Sequence, residues 1–357
     1  MLMMQLSVIE GFYGRSWSQA DRIALLPIFK QLGFQTYVYA PKSARKLRRE
    51  WYEPFSDSEF EFLAEQRLAA KAGGIKWGVG FSPLGLYELD PKTTEQLKTK
   101  ILQLSELSPN VFCLLFDDMR GDKKSLAKHQ LSVGDVINQH LNSDVEVTFC
   151  PSYYSTDPIL ENLFGERPAN YWRELGSGLD PKAQLFWTGE KVCSIEYDRF
   201  NLEFISNEFR RAPVLWDNYP VNDSKRLSSH LLLKPFAQRQ AWLADYLQGH
   251  FANPMNQAWL SLLPLSTLAP VYQDHSEELE IRQQSMWRQT LRQYGGDAQG
   301  QLEKDYGDFH DFGLEAVDEL TKSRWQSSYQ GLASKMAAEV SDWLDGGYAF
   351  DEACLTD

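Results

Sequence analysis

The chain has 357 residues, 43% of them hydrophobic and 13% aromatic, which supports a large core and excludes a disordered protein. Its formal charge of -13 makes nucleic acid and anionic membranes poor partners. Four cysteines, at 113, 150, 193 and 354, show neither CxxC nor metal-site spacing, as expected of reduced thiols in a cytoplasmic protein.

The N-terminus, "MLMMQLSVIEGFYG", lacks the charged and apolar blocks of a secretory leader, and no stretch reaches the length of a membrane span. "LSVIEGFYG" (6–14) reads as a first strand. "SWSQADRIALLPIFKQLG" reads as a helix with a Ser cap and a Gly33 stop, although Pro27 warns of a kink. "FQTYVYAPK" (34–42) is the next strand. The basic run "KSARKLRREW" (42–51) that overlaps its end reads as a solvated face. Strands are then expected at 75–85, 110–118, 146–155, 183–189, 211–223 and 249–257, with amphipathic helices between most of them. "PFAQRQAWLADYLQ" fits a helix or an irregular crossover. The last strand is the least secure, because Pro254 falls inside it.

Eight such units in about 250 residues, with no early G-x-G-x-x-G, favour a (β/α)8 TIM-type barrel over an open doubly wound sheet. The barrel is expected over 1–270. A helical C-terminal region follows over 271–357, where Trp287, Trp325 and Trp343 suit a core or a dimer face, and the last residues are expected to form a frayed tail.

Polar and aromatic residues cluster after the strands: Tyr13, Lys42, Asp117, Asp118, Tyr154, Thr188, Trp216, Asn218, Asn253 and Asn256 are among them. Barrels build active sites at these strand ends. Rings with amides, hydroxyls and carboxylates suit a neutral polyhydroxylated ligand. No nucleophile elbow, cofactor cradle or metal cluster is visible in the sequence. Asp117 and Asp118 share one pocket only if the strand ends between them, and repulsion would then push a proton onto one of the two. Glycoside hydrolysis uses that division. A solvated turn or a helix N-cap would also hold the pair, and metal binding would want a third acid.

The blocks "VIEGFYGRSWS", "TYVYAPK", "LLFDDM", "FWTG", "LWDNYPVND" and "ANPMNQ" resemble glycoside hydrolase family 84, which contains protein O-GlcNAcases and bacterial β-N-acetylglucosaminidases. The resemblance implies a (β/α)8 barrel followed by helices. It implies a retaining exo-β-N-acetylglucosaminidase without cofactor or metal, in which the substrate's acetamido oxygen attacks C1 to give an oxazoline. Asp117 would orient the acetamido group, and Asp118 would be general acid and then base. Gly11, Lys42, Tyr154, Thr188, Val192, Trp216, Asn218, Asp223 and Asn253 would bind the sugar, with Asn218 supporting Asp118 or the leaving-group side. Tyr153 or Tyr219 would neighbour the acetyl pocket that Trp216 walls. The substrate would be a GlcNAc-bearing glycan or glycoprotein, and the helical region could pair two copies into a homodimer. A hydrolase for another 2-acylamino sugar and a silent sugar-binding barrel stay as alternatives. Relatives commonly read "CPTEY" where this chain reads "CPSYY" (150–154), so Tyr153 is expected to replace a charge at the rim. The barrel begins at once and no accessory module follows the helices, so a minimal, soluble form is expected.

Overall fold

The computed structural model describes residues 4–273 and 278–355. Eight parallel strands close in sequence order into a barrel, with β1 paired to both β2 and β8. The strands are β1 (Gln5–Glu10), β2 (Thr36–Tyr39), β3 (Lys76–Phe81), β4 (Val111–Leu115), β5 (Glu146–Cys150), β6 (Gln184–Trp187), β7 (Val214–Asp217) and β8 (Gly249–Ala252). A barrel strand is covered on both faces, so it reads as a continuous buried run rather than an alternation. β4, "VFCLL", is buried at every position.

Helices α1 (Gln19–Gln31), α2 (Asp57–Ala72), α3 (Pro91–Glu106) and α4 (Leu126–Asn138) follow β1 to β4, α5 (Pro158–Phe164) and α6 (Tyr171–Gly178) follow β5, and α7 (Arg199–Phe209) follows β6. The Ser18 side chain caps α1 by accepting from the Asp21 amide, and Gly33, at φ 97°, takes the left-handed turn just beyond its end. α1 runs unbroken through Pro27, since the burial of Leu25, Leu26, Ile28 and Phe29 outweighs one missing hydrogen bond.

After β7 the pattern changes. Between β7 and β8 the described residues form turns and one 3-10 segment, Ala241–Asp245, so the crossover is irregular. Its polar backbone is met from further along the chain. After β8 come α8 (Leu262–Leu265), α9 (Ala269–Gln273), α10 (Leu279–Tyr294), α11 (Gln299–Asp311), α12 (Glu319–Tyr329) and α13 (Lys335–Leu344). Trp287 Nε1 donates to Leu233 O at 2.7 Å, Gln283 Nε2 to Phe236 O at 2.9 Å, and the Leu231 amide to Phe309 O at 3.2 Å. Trp287, Trp325 and Trp343 are all buried in one apolar cluster with the barrel. Part of the expected helix beginning near 276 lies outside the described residues. α11 was not expected: Gly300 and Gly307 weaken its pattern, yet Leu302 and Phe309 are buried.

The tail differs from the frayed end expected for it. Arg15, just after β1, pairs with Asp342 at 2.9 Å and stacks over the Tyr348 ring at 4.8 Å. Beyond that clamp Cys354 is buried against the barrel mouth.

Candidate active site

β4 ends at Leu115, and Asp117, Asp118 and Met119 form a turn. Asp118 takes φ 61°, the left-handed region that aspartate tolerates better than most side chains. That backbone turn breaks strand alternation and lets both neighbouring carboxylates face one pocket.

The pocket sits at the carboxyl ends of the strands and holds about 520 Å³ of empty space. Both acids and all nine residues expected to bind the sugar line it: Gly11, Lys42, Asp117, Asp118, Tyr154, Thr188, Val192, Trp216, Asn218, Asp223 and Asn253. Tyr13, Cys150, Cys193, Val221 and Cys354 complete the lining.

Three positive or donating groups converge on the two acids. Lys42 Nζ pairs closely with Asp117 Oδ2 and reaches Asp118 Oδ2 at 3.1 Å. Tyr13 Oη donates to Asp118 Oδ2 at 2.5 Å, and Arg48 Nη2 approaches the same oxygen at 3.3 Å. Burial raises the pKa of Asp118, but Lys42, the Tyr13 hydroxyl and Arg48 outweigh it and hold the carboxyl below its ordinary range. Burial lowers Lys42, yet Asp117 and Asp118 more than restore it, so the ammonium stays charged. Asp117 Oδ1 is buried with no hydrogen-bond partner. Such an acceptor is costly unless something fills it.

Opposite the acids runs a chain of amides. The Gly11 amide donates to Asn253 Oδ1 at 3.1 Å, and Asn253 Nδ2 donates to Asn218 Oδ1 at 3.0 Å. Trp216 Nε1 donates to that same oxygen at 2.9 Å, while Asn218 Nδ2 donates to Val192 O at 2.8 Å. Asn218 is thus tied to the pocket wall beside Val192, on the side expected for the leaving group, and no bond to Asp118 is seen among the described residues. Asn253 keeps one acceptor lone pair and one N–H for a ligand. Asp223 Oδ2 accepts the Tyr13 amide at 2.7 Å, and burial pushes its carboxyl up to about 6 against that bond.

Thr188 donates through Oγ1 to Lys191 O at 2.8 Å, and its amide donates to Tyr154 O at 3.0 Å. This pins the β5 and β6 loops together below Val192. Burial pushes the Cys150 thiol up, so it forms a neutral wall.

Two tyrosines expected near the acetyl pocket are elsewhere. Tyr153 is 1% exposed, donates to Gly165 O at 2.5 Å and packs edge-on against Tyr171, so it is no rim residue. Tyr219 donates to Lys234 O at 2.5 Å and packs against Phe236. Both lie in the loops beyond β5 and β7, where the bonds to Gly165 O and Lys234 O draw them away from the pocket while Tyr154 and Asn218 line it. The basic run is also corrected. Arg45 and Arg49 are exposed, but the Arg48 side chain is buried beside Asp118. Nothing in the run's pattern singles out Arg48. Tyr13, by contrast, stood among the strand-end residues.

Among the described residues no helix is long and apolar enough to cross a membrane. A family model described as β-N-acetylglucosaminidase matches residues 7–309. The protein O-GlcNAcases of Mus musculus and Rattus norvegicus are each 34% identical over 277 residues, covering 75% of this chain. The chain spans only 30% of the length of those curated relatives. A solved variant of the Thermobaculum terrenum O-GlcNAc hydrolase superposes with a TM-score of 0.75 at 28% identity, over 95% of this chain and 73% of the other. With the barrel, the paired acids and this match over most of its length, the chain belongs to the β-N-acetylglucosaminidase family, the glycoside hydrolase family 84.

Proposed function

We propose that the protein is a retaining exo-β-N-acetylglucosaminidase that removes terminal β-linked GlcNAc from glycoconjugates, O-GlcNAc on protein Ser or Thr among them, by substrate-assisted catalysis. The observation that carries this reading is Asp117 Oδ1, a buried acceptor without a partner at the wall of the pocket. An acetamido N–H supplies the donor it lacks.

In this reading the sugar's 2-acetamido group binds between Asp117 and the Trp216 wall. Asp117 accepts its N–H and turns the carbonyl oxygen toward C1. Asp118, protonated, gives its proton to the glycosidic oxygen as the C1–O bond breaks and the acetamido oxygen bonds C1. The N–H becomes more acidic in the oxazolinium, and the Asp117 charge stabilises it. Water then adds to C1, the C1–O bond of the oxazoline opens, and Asp118 takes the water's proton. The sugar excludes water from the acid pair, which strengthens their mutual repulsion and favours one shared proton.

Asp223 would take the 4-OH and 6-OH, Asn253 the 3-OH and 4-OH, Lys42 the 3-OH side, and Gly11 a hydroxyl through its carbonyl. Tyr154 would bond near the acetamido group, with Thr188 beside that pocket and Val192 on the aglycone side. Asn218 serves by fixing Trp216 and Asn253. The buried, neutral thiols of Cys113 and Cys150 suit a reducing compartment such as the cytoplasm.

The test compares a dinitrophenyl and an alkyl β-N-acetylglucosaminide. Asp118→Ala should lose about 10²–10⁴-fold in kcat/KM on the alkyl glycoside and far less on the dinitrophenyl one. Asp117→Ala should lose activity on both. Wild-type rates for either variant on the alkyl glycoside would sink the proposal.

A further inference from the structure

The catalytic reading leaves one buried charge unexplained. Arg48 follows the short 3-10 turn Arg45–Leu47 and is the residue of "RKLRRE" whose guanidinium turns inward, 6% exposed. It sits with its Nη2 at 2.8 Å from Tyr13 Oη and at 3.3 Å from Asp118 Oδ2, and its guanidinium carbon lies 5.3 Å from the Tyr13 ring centroid. Its Nε is buried without a partner. The hydrogen bonds of its guanidinium go to Tyr13 and Asp118, so those two groups define what the residue does.

Hydrogen-bond polarity defines that role. A guanidinium only donates. The Tyr13 oxygen must therefore accept from Arg48, and its single proton is directed at Asp118 Oδ2, 2.5 Å away. Without Arg48 the hydroxyl could rotate and accept from Lys42 or from a protonated Asp118. We propose that Arg48, acting through the Tyr13 hydroxyl and directly on Asp118, is a positioning residue that orients the acid–base carboxyl and sets the pH at which it releases its proton. This rests on Asp118 being the acid and base of the proposed reaction.

The other groups facing Asp118 come from every neighbouring strand end. They are Lys42 after β2, Asp117 on the same turn, Cys150 and Tyr154 at β5, and Asp223 after β7. Lys42 is shared with Asp117, and in the proposed reaction it also meets the sugar. Arg48 and Tyr13 contact Asp118 without contacting Asp117 by a hydrogen bond, so they act on the acid–base member of the pair alone. Their effect is to lower the cost of charge on Asp118 when the leaving group takes its proton, and to hold it as a base for the water step.

The test is the pH profile of kcat/KM on 4-nitrophenyl β-N-acetylglucosaminide. Its alkaline limb reports the loss of the proton from the general acid. An adjacent arginine typically lowers a carboxylate by about 1–3 units, so Arg48→Met should move the alkaline limb upward by a shift of that order. Tyr13→Phe should move it the same way by less. Arg48→Lys should restore part of the wild-type position. The Arg48→Met/Tyr13→Phe double variant should shift less than the two singles together, because one acts through the other. An alkaline limb fixed at the wild-type pH in Tyr13→Phe and both Arg48 variants, with activity reduced equally at every pH, would overturn the proposal. Should Arg48→Met fail to fold, Arg48→Lys and Tyr13→Phe carry the same comparison. Asp118→Asn separates the two levels of reasoning. An alkaline limb that survives Asp118→Asn refutes the catalytic assignment itself, whatever the arginine variants do.

Discussion

Replacing Gly11 by alanine tests how the pocket wall is held. Gly11 closes β1 against the face of Trp216, and a Cβ built there would lie 2.5 Å from Trp216 Cζ2 and 2.9 Å from Cη2. Carbon atoms normally rest about 3.5–4.0 Å apart, so the ring must retreat by about 1 Å. It has little room, because Trp216 packs edge-on against Phe186 at 5.1 Å and donates to Asn218 at 2.9 Å. Overpacking of this kind costs about 1–3 kcal/mol. The catalytic loss should be greater than the stability loss suggests, since a shift near 1 Å at a positioning group can cost about 10²-fold. Thermal unfolding and kcat/KM on an aryl β-N-acetylglucosaminide measure the two effects. The decisive comparison is Gly11→Ala in a Trp216→Phe background. Phenylalanine lacks both clashing atoms, so the alanine should then cost little stability. An alanine that is neutral in the wild-type background, or equally harmful in both, would refute the account.

Arg239→Met should destabilise the protein by about 3–5 kcal/mol at pH 7, because it strands a buried carboxylate. Arg239 clamps Asp217 through two bonds, at 2.9 and 2.7 Å, and Asp217 also meets His250 at 3.0 Å. Burial raises Asp217, but Arg239 and His250 bring it down to about 2. A depressed carboxylate contributes stability that is present above its unfolded pKa, near 4, and is lost as pH falls toward the folded value. The difference between variant and wild type in urea unfolding should therefore narrow below about pH 4. A loss under about 1 kcal/mol at pH 7 would count against the clamp. Glu339→Ala removes the carboxyl group on α13, pushed by burial up to about 8, that accepts the Trp259 amide at 2.9 Å and the Leu260 amide at 2.8 Å. It should cost about 1–3 kcal/mol by stranding those amides and speed their hydrogen exchange, and unchanged exchange would refute the link between α13 and the loop after β8.

Much of the fold was legible because parallel strands are buried on both faces and announce themselves as apolar runs. β8 was the weak case, yet Pro254 does no harm there because the strand ends at Ala252. The crossover from β7 to β8 could be read as a helix or as irregular, because its own backbone bonds close only scattered turns, such as Ser228 to Ser224 and Leu243 to Gln240. Its carbonyls are met by Gln283 and Trp287, far along the chain. The site divides similarly. Asp117, Asp118, Asn218 and Asn253 stand in short blocks at strand ends, where local sequence carries the signal. Arg48 sits among exposed basic residues, and only the fold decides which of them turns inward. Tyr153 and Tyr219 stand in loops beyond β5 and β7, where the course of the backbone, and no residue period, decides which side chain enters the pocket.

The clamp of Arg15 on Asp342 in α13 and on Tyr348 beyond it bears on the order in which the pocket is built. Gly11 and Cys354 line the same pocket, and Gly11 leaves the ribosome long before Cys354. The acid pair is therefore translated long before its enclosure is finished. A nascent barrel would carry both carboxylates in a cleft still open on the side that Cys354 comes to cover. Completion of the pocket is thus coupled to docking of α13 and the segment after it, and not to closure of the barrel alone.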